Sequence, residues 1–429
     1  MNATNPAIRP MNATKAAPPL LAALIFLVAL NLRPAVAGVG PVLTRIGDDL
    51  GWGESVLGVL GAMPLWAFAA VSPLVRFAER RLGADGTVLA ALLVLAAGDL
   101  VRSFGGPAGV WLGTFAVGAG IAAGNVLVPV IAKRDYARHV AVATGVYSGC
   151  ITAGSAIAGL TAAPLAAALG GWRPALAVWA VPPLVVAALW SIRVARGMRG
   201  NGNGDGDDGA SSSTSHVAGT AAHVAAGTAT DAAVTDVRPL WRRPMTWWVT
   251  LFMGLQSAAF YTMSNWLPSL AAAAGFSESQ AGVQLFVFQS LGILSGLLIP
   301  ALMHVRGNQI CAALAASVPM VVAGCGWLLA PAASMLWSVI GGMGQGASLV
   351  VALTLIALRG RTPSDTVALS GMAQSLGYLV ASVGPLAFGT LAELSGAWVA
   401  PLVLFTALAA AQCVVAVLAG DERRPSVVA

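Results

Sequence analysis

Residues 26–40 read FLVALNLRPAVAGVG and residues 89–103 read LAALLVLAAGDLVRS. Each run is apolar except for one or two charges, and Arg33 and Asp99 are the ones set deepest. A guanidinium stays charged and offers a planar fork of donors, so it suits an anion or a polarised group. Holding it mid-helix in a bilayer costs about 2.5–3.5 kcal/mol, so it needs a partner or a wet cavity. Three readings of Arg33 compete: it snorkels to the membrane surface, it pairs with Asp99, or it faces a central cavity and binds solute. At 1.5 Å per residue Arg33 lies about 21 Å past Pro19 and Asp99 about 20 Å past Gly86, which allows a common level. Asp99 also stands three residues before Arg102, the spacing of a local helical pair. The alternative role for Asp99 is to carry a proton.

Uncharged polar side chains are the other candidates. Asn31, Asn125, Tyr147, Gln256, Tyr261, Gln374 and Tyr378 all fall within apolar stretches. Gln374 and Tyr378 are four apart and share a helix face, as do Gln256 and Phe260. Singly, each could be an interhelical hydrogen bond; as a group they exceed what packing needs, so some are expected to bind substrate. No other chemistry is in view. The four histidines lie in or beside loops, and the four cysteines, all in apolar runs, lack metal-ligand spacing. No nucleophile–base set or phosphate loop occurs. The expectation is therefore no enzyme, no metal and no cofactor, with movement driven by gradients.

What must position these residues is a membrane bundle. Of the 429 residues 57% are hydrophobic and 9% charged, far below the roughly 25% charge of soluble domains. Twelve stretches near the ~20-residue membrane length run at about 19–44, 54–77, 86–104, 109–132, 140–168, 174–195, 245–271, 279–303, 309–330, 334–358, 366–391 and 397–419. This predicts an all-α membrane protein of twelve transmembrane helices. The expected organisation is a disordered cytoplasmic N-terminus (1–18), a six-helix bundle (19–196), a disordered linker (197–243), a second six-helix bundle (244–420) and a cytoplasmic tail (421–429). The linker opens GNGNGDGDDGASSSTS, too poor in apolar surface to fold. A signal-like N-terminus is discounted because Arg33 interrupts its apolar run. MNAT recurs at Met1 and Met11, so either could be the start.

The net charge of +6 reads as topology rather than nucleic-acid binding. Nineteen Lys and Arg fall in loops and termini on one side, against Arg45, Arg102 and Arg173 on the other. That predicts cytoplasmic termini. Trp52, Trp111, Trp172, Trp337 and Trp398 fall at span ends and read as interfacial anchors. The halves also repeat. GWGESVLGV (51–59) matches GFSESQAGV (275–283) at five of nine positions, at an offset of 224. Ile131–Arg134 aligns with Ile356–Arg359 at 225, and Thr144-Gly145 with Ser370-Gly371 at 226. Six spans per repeat insert both halves the same way up, which gives a pseudo-symmetric pair with a site near the midplane between them.

Several of these stretches together resemble the cyanate/nitroimidazole transporter family of the major facilitator superfamily. They are Asn31-Leu32-Arg33-Pro34-Ala35, GNVLVPVIAKRD (124–135), GGWRPALAVWAVPPL (170–184), TLFMGLQSAAFY (250–261) and ALSGMAQSLGY (368–378). The resemblance implies a multi-pass carrier of the bacterial inner membrane, and it places Arg33, Asn125, Gln256, Tyr261, Gln374 and Tyr378 in matching motifs. Asp99 is not part of the pattern. The superfamily signature between spans two and three is degraded to VRFAERRLGAD (75–85), with Arg80 where its acid would stand. The expected activity is transport of a small anion or polar solute such as cyanate by alternating access. The alternative is export of neutral aromatic compounds of the nitroimidazole type. A solute sensor signalling through the linker is disfavoured by the linker's low complexity. The expected partners are a small solute and lipid, with no nucleic acid and a monomeric state.

Overall fold

The computed structural model describes residues 19–137, 139–201, 239–303 and 305–421. The N-terminal segment, most of the linker and the tail of the sequence reading lie outside these residues. Helices dominate. The first half comprises α1 (Pro19–Asn31), α2 (Pro34–Ala37), α3 (Leu43–Leu50), α4 (Glu54–Val71), α5 (Val75–Phe104), α6 (Gly106–Asp135), α7 (Val140–Ala168), α8 (Trp172–Ala177) and α9 (Val181–Asn201). The second comprises α10 (Pro244–Ala273), α11 (Glu278–Leu298), α12 (Ile310–Leu329), α13 (Ser334–Arg359), α14 (Pro363–Ser395) and α15 (Val399–Gly420).

Among the described residues ten helical stretches are long and apolar enough to cross a membrane. One of them, Glu54–Phe104, is 51 residues long. It is broken at Gly83, whose φ of 70° lies where residues with a side chain are strained. Its two arms are each of membrane length. The 30-residue α10 is not among the ten, because Gln, Ser, Thr and Asn interrupt its apolar run. It can nevertheless span about 45 Å at 1.5 Å per residue, and these helices are consistent with twelve passes.

Chain breaks follow the sequence chemistry. Pro34 has no N–H to donate, and the helix stops at Asn31 and resumes with Pro34 in its first turn. Arg33 sits in the gap. The repeated N-termini differ in their caps. Ser277 caps α11 through a reciprocal box with Gln280. α4 has Gly53 at its N-cap and no cap of its own, and Glu393 of the other half accepts the Ser55 N–H at 2.7 Å.

The halves are sealed together at the end with few basic residues. There α4 lies along α14 and α7 along α11. Arg45 binds Glu278 through both carboxylate oxygens, at 3.0 and 2.5 Å. One apolar cluster, including Ile46, Leu57, Leu285, Trp266 and Phe388, draws on both halves. At the arginine-rich end several ion pairs among the described residues run within a half. Arg134 and Arg193 hold Asp85 and Asp135 in the first half, and Arg243 holds Asp365 in the second. Beside Gly145 and Gly149 on α7, and Gly371 on α14, lies open space.

Two expectations need correction, and one contact takes a form the sequence left open. Arg102 is no loop residue: it is 2% exposed near the end of α5. Trp172 is buried at 4%, its indole N–H donating to Asp49, so it packs rather than anchors. The acid bound at the arginine-rich turn is Asp85, which accepts from Arg134 and Arg193.

Candidate functional site

The break between α1 and α2 turns Arg33 toward the other half. Its Nη1 donates to the Tyr261 hydroxyl of α10 at 2.5 Å. Its guanidinium carbon lies 5.5 Å from the Phe260 ring centre and 5.3 Å from that of Tyr261. Such cation–ring contacts are worth about 0.5–2 kcal/mol. They help offset the loss of water around a half-buried charge. Of the three readings of Arg33, this geometry is that of a group facing the junction of the halves. The pairing with Asp99 is not formed.

Tyr261 is 3% exposed and belongs to an aromatic layer. Phe68 of α4 lies 6.2 Å from Tyr261 and 5.4 Å from Tyr378 of α14, and the two tyrosine rings are 6.5 Å apart. Tyr147 and Phe260 flank the same cluster. Residues from α2's entry, α4, α10 and α14 thus meet around one guanidinium.

The other candidates are placed differently. Asn31 donates back to the Leu27 carbonyl of its own helix at 2.8 Å. Asn125 is half-buried on α6, next to the Gly124 that packs against Leu32. Gln256 is 2% exposed, donates to Ser257 at 2.7 Å and accepts from Gln345 at 3.2 Å, so its amide is engaged within its own half. Gln374 donates to Ser370 at 3.0 Å on the arginine-rich half of α14. Asp99 is fully buried and bound to Arg102 at 2.6 Å, while Arg102 also donates to the Ala35 carbonyl at 2.6 Å. The spacing of Asp99 and Arg102 therefore expresses itself as a local pair that ties α5 to the broken first span.

A model of the Major Facilitator Superfamily matches residues 21–385. The chain belongs to this superfamily. It is 34% identical over 404 residues to the "2-nitroimidazole transporter" of Escherichia coli K12, covering 94% of this chain and 96% of the relative. To the "Cyanate transport protein CynX" of the same organism it is 24% identical over 376 residues, covering 87% and 90%. The solved structure of the nucleoside transporter NupG superposes with a TM-score of 0.69 at 12% identity, covering 93% of this chain and 99% of that one. This superfamily member is accordingly a multi-pass membrane transporter, with relatives that are transporters rather than enzymes.

One residue of the site escaped sequence reasoning, and a second, Arg102, was read as a partner of Asp99 but not as a buried one. Phe68 lies in an unremarkable apolar helix, and nothing in its neighbourhood marks it. Arg102 stands next to the SFGGP turn, where a basic residue reads as a loop residue. Its spacing from Asp99 was the one signal that it belongs inside.

Proposed function

We propose that this protein is a secondary transporter of a small anion or polar solute, cyanate-like in size, across the bacterial inner membrane by alternating access. The observation that carries the reading is Arg33, held in a helix break and turned to the junction of the halves. A charge there draws an electron-rich solute to a level both halves share. Tyr147, Tyr261 and Tyr378 supply walls and hydroxyls, while Asn31, Asn125, Gln256 and Gln374 are secondary contacts or supports. Asp99 serves as the structural partner of Arg102. The basic end faces the cytoplasm by the positive-inside rule, so this conformation is closed to the periplasm. The two bundles, 19–196 and 244–420, rock as units about the site, and one chain suffices.

A second reading, export of a neutral nitroaromatic compound, is favoured by the aromatic layer of Phe68, Phe260, Tyr261 and Tyr378. The relative named for 2-nitroimidazole is also the more similar, 34% against 24%. Uptake of labelled cyanate into proteoliposomes, set beside nitroimidazole sensitivity of cells expressing the protein, separates the two. Under the anion reading Arg33→Ala abolishes cyanate uptake, and Arg33→Lys, which keeps charge but loses the fork, restores only part of it. Undiminished uptake in Arg33→Ala refutes it.

A further inference from the structure

Hydroxyl side chains in these helices mostly bond back to their own backbone. Thr87, Thr250, Ser317, Ser338, Thr390 and Thr406 each donate to the carbonyl four residues earlier, at 2.7–2.9 Å. Thr114 and Ser264 do not. Both are at least 95% buried, and among the described residues neither hydroxyl has a partner. The same is true of the Asn265 side-chain N–H2, on a residue 7% exposed, and of the Nε of Arg102. These four side chains line one cavity, between Leu60 and Pro64 of α4 and the ring of Tyr261. Such groups normally find partners when buried, so four unpaired donors around one space are a feature to explain.

The position of the cavity is equally specific. Ser264 and Asn265 lie one turn beyond Tyr261 on α10, toward the arginine-poor end. Tyr261 thus carries the Arg33 contact and also walls the cavity. Arg102 and Thr114 belong to the first half, Ser264 and Asn265 to the second. The cavity is small, about 20 Å³, a little more than one water needs, so it takes the tip of a larger molecule rather than a whole solute. The charge of Arg102 is balanced by Asp99, so the surroundings are donor-rich without a large net charge.

We propose that this cavity is a second solute subsite, which receives the acceptor-rich end of the transported molecule through donors of Arg102, Thr114, Ser264 and Asn265. The chemistry recognised is an acceptor tip carrying lone pairs: one end of an anion such as cyanate, or a nitro oxygen of a nitroaromatic. An occupant bridges the halves and so favours the conformation closed at the arginine-poor end. A trapped structural water is the competing occupant.

The inference rests on the solute class proposed above, and its test separates the two claims. Binding of potassium cyanate and, separately, of 2-nitroimidazole is measured by calorimetry on the purified full chain in nanodiscs. The panel is wild type, Arg33→Ala, the double variant Thr114→Val/Ser264→Ala, and Thr114→Ser. The expected result is at least a tenfold weaker affinity in the double variant and near wild-type affinity in Thr114→Ser, which keeps the donor. Thermal stability reports that each variant is folded. Weakening toward cyanate alone identifies an anion subsite, and weakening toward both probes identifies the shared acceptor. If Arg33→Ala weakens binding while the double variant binds as wild type, water fills the cavity and the subsite is overturned, leaving the Arg33 reading intact. If the double variant weakens binding while Arg33→Ala does not, the subsite stands and the Arg33 reading falls. Wild type that binds neither probe overturns both.

Discussion

The closure of the arginine-poor end can be tested with a single methyl group. A Cβ added at Gly58 of α4 would lie 2.8 Å from the Pro385 carbonyl oxygen, 3.1 Å from that of Leu386 and 3.3 Å from the Leu386 Cα. All three atoms are backbone of α14, in the opposite half, so no side chain can swing aside. Overpacking of this kind costs about 1–3 kcal/mol. The cost falls on the state in which α4 and α14 touch here and vanishes where this end is open. The helix-propensity gain of Ala over Gly, about 0.8–1.0 kcal/mol, is common to both states. Gly58→Ala should therefore shift the equilibrium about 5- to 150-fold toward the state open at the arginine-poor end, at 1.4 kcal/mol per tenfold. The assay is the rate at which a membrane-impermeant maleimide, applied from the arginine-poor side, labels Val39→Cys in a background without the native cysteines. Val39 is 7% exposed and lines the cavity beyond Tyr261. Gly371→Ala is the control, since open space surrounds that glycine. A labelling rate unchanged in Gly58→Ala, or raised equally in Gly371→Ala, would refute the argument that this contact distinguishes the states.

Other perturbations test separate links. Removing Asp99 leaves Arg102 buried and uncompensated, so Asp99→Ala should cost about 3–5 kcal/mol in thermal stability, and adding Arg102→Leu should recover most of it. Arg33→Lys and Tyr261→Phe act on one contact, so their effects on solute affinity should be non-additive in a double-mutant cycle, with a coupling of about 0.5–3 kcal/mol. The Arg45–Glu278 pair is about a third to two-fifths exposed, at 32% and 43%, and is worth about 0.2–1 kcal/mol. Reversing either charge should raise maleimide labelling a fewfold at most, and reversing both should restore the wild-type rate.

The sequence determined the fold class, suggested its two halves and marked Arg33 as a candidate. These properties are written in local terms: apolar runs of membrane length, a repeat at a near-constant offset, and a charge beside a proline where helix bonding must fail. The charge tally counted Arg102 as a loop residue, and there burial overrides position, since residue type cannot tell a buried helix end from the loop beside it. The tertiary structure decided which partners the polar groups take. Asp99 prefers the guanidinium one turn away to the one across the bundle, because the i,i+3 contact costs no rearrangement of helices. Gln256 spends its amide on Gln345, 89 residues away, and Asn31 on its own helix. Phe68 joins Tyr261 and Tyr378 only because α4 and α14 cross at one level. Such convergence of remote side chains depends on helix crossing and rotation, which packing sets and no local pattern records.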